Sequence, residues 1–306
     1  MAKIVLTRGQ RRQRRAERRE KQRQANLGRA RKMHTARLGE HRAEYVIAPL
    51  DSAPQTTKRQ QFYIGCSGWF YWHWRGRFYS ADLPTGKWFK HYQTKFSTVE
   101  LNAPFYSWPT IATVHGWVRQ VRRRNFIYTI KVCELITHIK RFAGTKILVR
   151  DFGFIADMLG PRMGCFLFQL PPSFHYTPSR LKRILNQLDH NRRNVLEFRH
   201  KSWWNEDVYA TLRQTGTIFC SCSAPQLPDD LVKTADDIYV RFHGRKRWYR
   251  HHYAKEELRE WADRIVASDA KRVWIYFNND FEGSAPINAG ELNRLLMTIK
   301  RPPARN

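Results

Sequence analysis

Acidic residues are scarce in this 306-residue chain: 26 Asp and Glu face 55 Lys and Arg, a formal balance of +29. A surplus that large predicts attraction to polyanions, nucleic acid first among them, and says nothing of the fold. Cysteine is sparse as well. Five in a chain of this length make no disulfide framework, which points to a reducing cytoplasm. No apolar run approaches the ~18 residues of a membrane span, so no membrane partner is expected. Met1 to Arg15 lack the apolar centre of a secretory signal, and no serine precedes Ser52, which argues against a transit peptide. Glycine-rich dinucleotide turns are missing, and so are His-x-x-x-His and Cys-x-x-Cys pairs that would hold a metal.

What is present divides in two. Residues 1–59 carry 17 Lys and Arg against 5 Asp and Glu, a balance of +12. The run Arg11 to Lys21 has no apolar stripe at helical spacing, so packing has nothing to grip. This extension is expected to be largely disordered, or helical, and to hold RNA or DNA phosphates through Arg11, Arg12, Arg14, Arg15, Arg18, Arg19 and Lys21. The plainer alternative is a solubilising tail. Pro49, Pro54 and Gln55-Thr56-Thr57 read as a linker to the body, residues 60–306.

In the body, short apolar runs alternate with helical stretches. Strands are expected at Phe62–Ser67, Thr98–Asn102, Ile127–Val132, Cys165–Leu170, Asn194–Arg199, Ile218–Cys222, Ile238–His243 and Val273–Asn278. Helices are expected between most of them, with the link Ser223 to Asp237 too short and Pro-containing for one. Eight strands with intervening helices, in a body close to the ~250 residues typical of that fold, predict an α/β (β/α)8 TIM barrel; an open doubly wound sheet is the alternative.

Side chains alternate between the faces of a strand. Glu100 and Asn102, Thr129 and Lys131, Glu197 and Arg199, Arg241 and His243, and Tyr276 and Asn278 each share a parity, and the second of each pair ends its strand. Polar residues facing inward at the C-terminal ends are what a barrel with a working mouth requires.

The blocks that carry a likeness are Gly65-Cys66-Ser67-Gly68-Trp69, Val99-Glu100-Leu101-Asn102, Gln169-Leu170-Pro171-Pro172-Ser173-Phe174, Glu197-Phe198-Arg199-His200 with Trp203, Tyr239-Val240-Arg241-Phe242-His243-Gly244, and Phe277-Asn278-Asn279-Asp280. In this order they resemble the domain-of-unknown-function 72 family, also called YecE-like. The resemblance runs from about Tyr63 to Leu296 and implies a TIM barrel. The basic extension lies outside it, and the chemistry has to come from the residues.

For catalysis the candidates are Glu100, Lys131, Glu197 and His243, as carboxylates, an amine and an imidazole whose pKa a neighbour can tune. Candidate substrate-binding residues are Trp69, Asn102, His138, Gln169, Arg199, Arg241, Tyr249, Asn278, Asn279 and Asp280. Arg199 and Arg241 suit a phosphate or carboxylate clamp. The loop Gly244 to Tyr253, with four cations and aromatic rings, suits a phosphodiester with a stacked base. No cofactor is identified; a divalent metal would draw on Glu100, Glu197, Asp280 and His243. The expected function is a hydrolase or lyase acting on a phosphorylated or nucleic-acid substrate at the barrel mouth. Two alternatives are a non-catalytic nucleic-acid-binding protein working through the extension, and a sugar hydrolase using Glu100 and Glu197.

Overall fold

A computed structural model describes residues 7–46, 60–123 and 125–299. Eight parallel strands form a nearly closed barrel: β1 (Gln61–Cys66), β2 (Thr98–Leu101), β3 (Ile127–Lys131), β4 (Met163–Gln169), β5 (Asn194–Glu197), β6 (Ile218–Ser223), β7 (Asp237–Phe242) and β8 (Arg272–Phe277). They are laddered in the order β1-β8-β7-β6-β5-β4-β3-β2. This is the expected barrel, with strand ends shifted by a residue or two.

The seam between β1 and β2 is closed by a side chain. The Tyr92 hydroxyl accepts from the Cys66 N–H at 2.8 Å and donates to the Thr98 carbonyl at 3.0 Å. Only glycine fits at position 65, because a Cβ there would lie 2.3 Å from the Thr98 carbonyl oxygen.

Helices α3 (Trp88–Lys95), α5 (Ile111–Gln120), α6 (Lys146–Leu159), α7 (Pro178–Leu185), α8 (Glu206–Thr215), α9 (Lys255–Ala267) and α10 (Ser284–Ile299) surround the sheet, and the short α4 (Ala103–Tyr106) follows β2. Their starts follow from local chemistry: the Thr110, Thr177 and Asn205 side chains each accept a backbone N–H of the first turn. The link from β6 to β7 contains no helix, as its length requires. Between sheet and helices lies a continuous apolar layer that includes Val99, Ile130, Phe166, Leu196, Phe219, Val240 and Ile275, all at most 3% exposed.

The extension takes the helical form, one of the two expected: α1 (Arg8–Leu38), followed by the single turn α2 (Arg42–Tyr45). Its docking was not expected. Residues 8–21 are all exposed, but Asn26, Ala30 and Met33 are buried. Asn26 Oδ1 accepts the Trp108 N–H at 2.9 Å, and its amide donates to the Tyr106 carbonyl at 3.1 Å. Further along, His34 and Arg37 bond Asp151 of α6, and Arg42 bonds Asp157. Half of this segment is therefore packed on the barrel. The linker expected at Pro49 and Pro54–Thr57 lies outside the described residues.

Candidate active site at the barrel mouth

The inward residues form tiers. At mid-height the Tyr276 hydroxyl meets the Thr98 and Thr129 hydroxyls at 2.7 and 2.8 Å. One tier nearer the mouth, Arg241 occupies the axis. Its Nη1 donates to Glu197 Oε2 at 2.6 Å and its Nη2 to Glu100 Oε1. Glu100 also accepts from Ser67 Oγ at 2.7 Å and from the Tyr239 hydroxyl at 2.5 Å. Arg199 pairs with Glu197 Oε1, and His243 Nε2 lies 3.3 Å from the same oxygen. Asn278 reaches His243 Nδ1 at 3.2 Å. Glu100, Glu197, Arg241 and His243 are fully buried. Residues from β2, β5, β7 and β8, drawn together by matched parity, thus meet in one network.

Its electrostatics assign roles. Burial alone would raise the Glu197 carboxyl, but Arg199, Arg241 and the His243 hydrogen bond hold it well below the usual carboxylate range. His243 is driven well below its ordinary value by burial and then by the two guanidiniums, so it is neutral. Both carboxylates serve as counter-ions of Arg241.

Lys131, at the end of β3, is different. Among the described residues no carboxylate pairs with it; its Nζ lies 4.0 Å from the Phe105 ring centroid. Burial, then Arg241, brings its pKa down to about 7, against the pull of Glu197 and Glu100. Next to it, His138 stacks edge-on against Phe105 and approaches Gln169 Nε2 at 3.4 Å; burial and Lys131 bring His138 down to about 4. Asn102 donates to the Ser67 carbonyl at 3.2 Å, leaving its buried Oδ1 without a partner.

A cavity of about 820 Å³ opens beside this network, lined by Gln169, Arg199, His200, Lys201, Trp248 and Tyr249 among others. The Arg199 guanidinium carbon lies over the Trp248 ring, 4.6 Å from its centroid. Gly244, with φ +105°, lets the chain double back so that Tyr249 N–H donates to the His243 carbonyl at 2.6 Å. Another cavity, of about 810 Å³, opens at the opposite end of the barrel. There Arg193 and Arg272 are taken up by Asp237 and Arg213 by Glu206.

Three expected site residues serve the framework instead. Asp280 accepts from the Trp74 indole N–H and lies 2.8 Å from His73 Nε2, with its pKa pushed up to about 6 by burial. Asn279 donates to the His251 carbonyl at 2.8 Å and to Asn288 Oδ1 at 2.9 Å, fixing the loop after β8. Trp69 packs on Phe89, 4.6 Å between centroids. A metal set including Asp280 is thereby broken up. Among the described residues the one group of donors close enough for an ion is Glu197, Cys222 and His243, within 4.8 Å of one another. Arg199 and Arg241 both bond that carboxylate, so a cation there would meet two guanidiniums. Sequence reasoning also missed Ser67, Phe105, Tyr239 and Cys222 as site residues, while Trp248 lies in the loop it had singled out. Tyr239 was within reach, since it shares its parity with Arg241 and His243.

The family model described as "Protein of unknown function DUF72" matches residues 63–306. The chain belongs to the DUF72 family. It is 25% identical over 275 residues to the UPF0759 protein YunF of Bacillus subtilis, covering 76% of this chain and 94% of that one. A crystal structure of a DUF72 family protein from Thermotoga maritima superposes with a TM-score of 0.71 at 27% identity, covering 78% of this chain and all of that one. A DUF72 family protein from Enterococcus faecalis, 20% identical, shares the fold with a TM-score of 0.67 over 78% of this chain and 96% of its own. The DUF72 match begins within β1, so the docked helix α1 lies outside the matched region. No helix among the described residues is long and apolar enough to cross a membrane.

Proposed function

We propose that the barrel mouth is the active site of a lyase- or hydrolase-type enzyme acting on a phosphorylated substrate, with Lys131 as the proton-accepting base. The observation that carries this is the buried Lys131 amine, set against an aromatic ring and paired with no carboxylate among the described residues. With a pKa near 7 it is half unprotonated at neutral pH, where a base works best. C-terminal strand ends are where TIM barrels place their chemistry. Arg199, over the Trp248 ring and lining the cavity, engages Glu197 and His243 through Nε and Nη2 and has donors besides these for phosphate oxygens. Glu100, Glu197 and Arg241 form the rigid floor. Neutral His138 and Gln169 supply uncharged donors at the rim.

Titration calorimetry with inorganic phosphate, a sugar phosphate, a nucleoside monophosphate and their unphosphorylated counterparts tests this reading. Phosphorylated ligands should bind, and Arg199→Gln should weaken them by about tenfold or more, the value of a charge-assisted hydrogen bond. Equal binding of neutral counterparts would contradict it.

A further inference from the structure

The docked course of α1 fixes where its basic half goes. Contacts step along α6 as the segment proceeds, since Arg37 of α1 meets Asp151 and Arg42 of α2 meets Asp157, so the segment follows α6 in the same direction. Since α6 descends from the mouth, the N-terminal part of α1 lies toward the mouth. Arg29 bonds Ser107 after β2, and Arg19 acts on Glu134, just beyond the end of β3. Residues 8–21, about 21 Å at helical rise, start near that point and run on beyond it. They hold eight cations and two acids.

The rim that this helix leaves is ringed by exposed aromatics: Phe70 and Trp72 after β1, Tyr106 after β2, Tyr249 after β7 and Phe281 after β8. Cations accompany them, with Arg75 over Trp72 and Arg250 over Phe281. Exposed rings accompanied by guanidiniums are the equipment that unpaired bases stack on, while a basic track holds the phosphates. Duplex bases are already stacked and would leave those rings unused. An anionic membrane fits worse, because an interfacial helix needs an apolar face. Residues 8–21 offer none beyond Gly9 and Ala16.

We infer that α1 and the aromatic rim form one binding surface for single-stranded nucleic acid, which delivers a phosphorylated nucleotide of the strand to the mouth. This rests on the mouth being an anion-binding active site and names the substrate class. The strand bridges two anchors that the docked half of α1 holds in fixed relation, so its local concentration at the cavity is raised above that of a free nucleotide.

The test is fluorescence anisotropy of the full chain with a labelled 20-nucleotide single strand, the matching 20-base-pair duplex, and phosphatidylserine-containing vesicles as competitor. The single strand should bind at least about tenfold more tightly than the duplex, as stacking on one ring implies. Replacing Arg12, Arg14, Arg15, Arg18 and Arg19 by Gln, which keeps the helix, should weaken binding by about 100-fold or more and lower the log–log salt slope by about 3. The variant Phe70→Ala/Trp72→Ala/Tyr249→Ala should erase the preference for single strand while circular dichroism shows the fold intact. Equal affinity for strand and duplex, displacement by vesicles, or an unchanged arginine variant would overturn the inference. The mouth is read out separately, by phosphate protection of Lys131 from acylation. Protection by phosphate with no strand preference overturns the nucleic-acid surface and leaves the mouth reading standing; strand binding without protection by phosphate removes the mouth on which this inference rests.

Discussion

Lys131 Nζ lies 4.0 Å from the centroid of the Phe105 ring, on the mouth side of a tier in which every carboxylate is already bonded to a guanidinium. The ring favours the ammonium weakly. Burial and the nearby Arg241 disfavour it more, and the balance leaves the amine titrating near 7.

A stability test follows with a definite sign. The folded value lies below the unfolded one, so the unfolded chain holds the extra proton between about 7 and the ordinary lysine value. Stability therefore rises with pH across that window. Lys131→Met should stabilise the protein by on the order of 3 kcal/mol below pH 7, with the gain shrinking toward pH 10. Denaturant midpoints at pH 6 and pH 10 check it. Turnover should be lost in the same variant, and in the wild type it should climb with pH through about 7.

Glu197→Gln should cost about 3–5 kcal/mol, because it leaves buried Arg199 without a carboxylate and Arg241 with Glu100 alone. The Glu197 carboxyl is held below its unfolded value, so its contribution is complete above the ordinary carboxylate range and fades only as acid reaches the folded value. Urea unfolding at pH 7 should show the full loss, and the difference from wild type should narrow in strong acid. An undiminished midpoint at pH 7 would show that the network does not hold the mouth together.

Asn26→Ala should release the Tyr106–Trp108 segment, leaving the buried Trp108 N–H without its acceptor at a cost of about 1–3 kcal/mol. Phe105 precedes that segment, so the loss reaches Lys131. Hydrogen exchange should speed up along the docked half of α1 and around Phe105, and the Lys131 pKa should rise as water enters. Exchange confined to α1 would show that the helix and the site are uncoupled.

The barrel and its convergent tier were legible in the sequence because a strand's period of two is rigid: once Glu197 and Arg199 share a face at a strand end, so must Arg241 and His243. The docking of α1 was not. Its buried stripe is Asn26, Ala30 and Met33, with one large apolar side chain among them, and the specificity lies in backbone groups that Asn26 meets 82 residues away. Asn279 and Asp280 sit beside Asn278 in sequence but past the end of β8, where parity no longer governs direction, and they turn to the loop instead. The roles of Glu100 and Glu197 were hidden for a further reason: a carboxylate's role depends on whether a cation reaches it, and Arg241 comes from a strand far along the chain.

The most direct measurement is the titration of Lys131 itself, by trace acylation of the intact protein with acetic anhydride from pH 5 to 10 and mass-spectrometric quantification of each lysine. Lys131 should titrate near 7, and inorganic phosphate should raise the Lys131 value and slow its labelling. A Lys131 that titrates at the ordinary lysine value and ignores phosphate would contradict an anion-binding active site at this mouth.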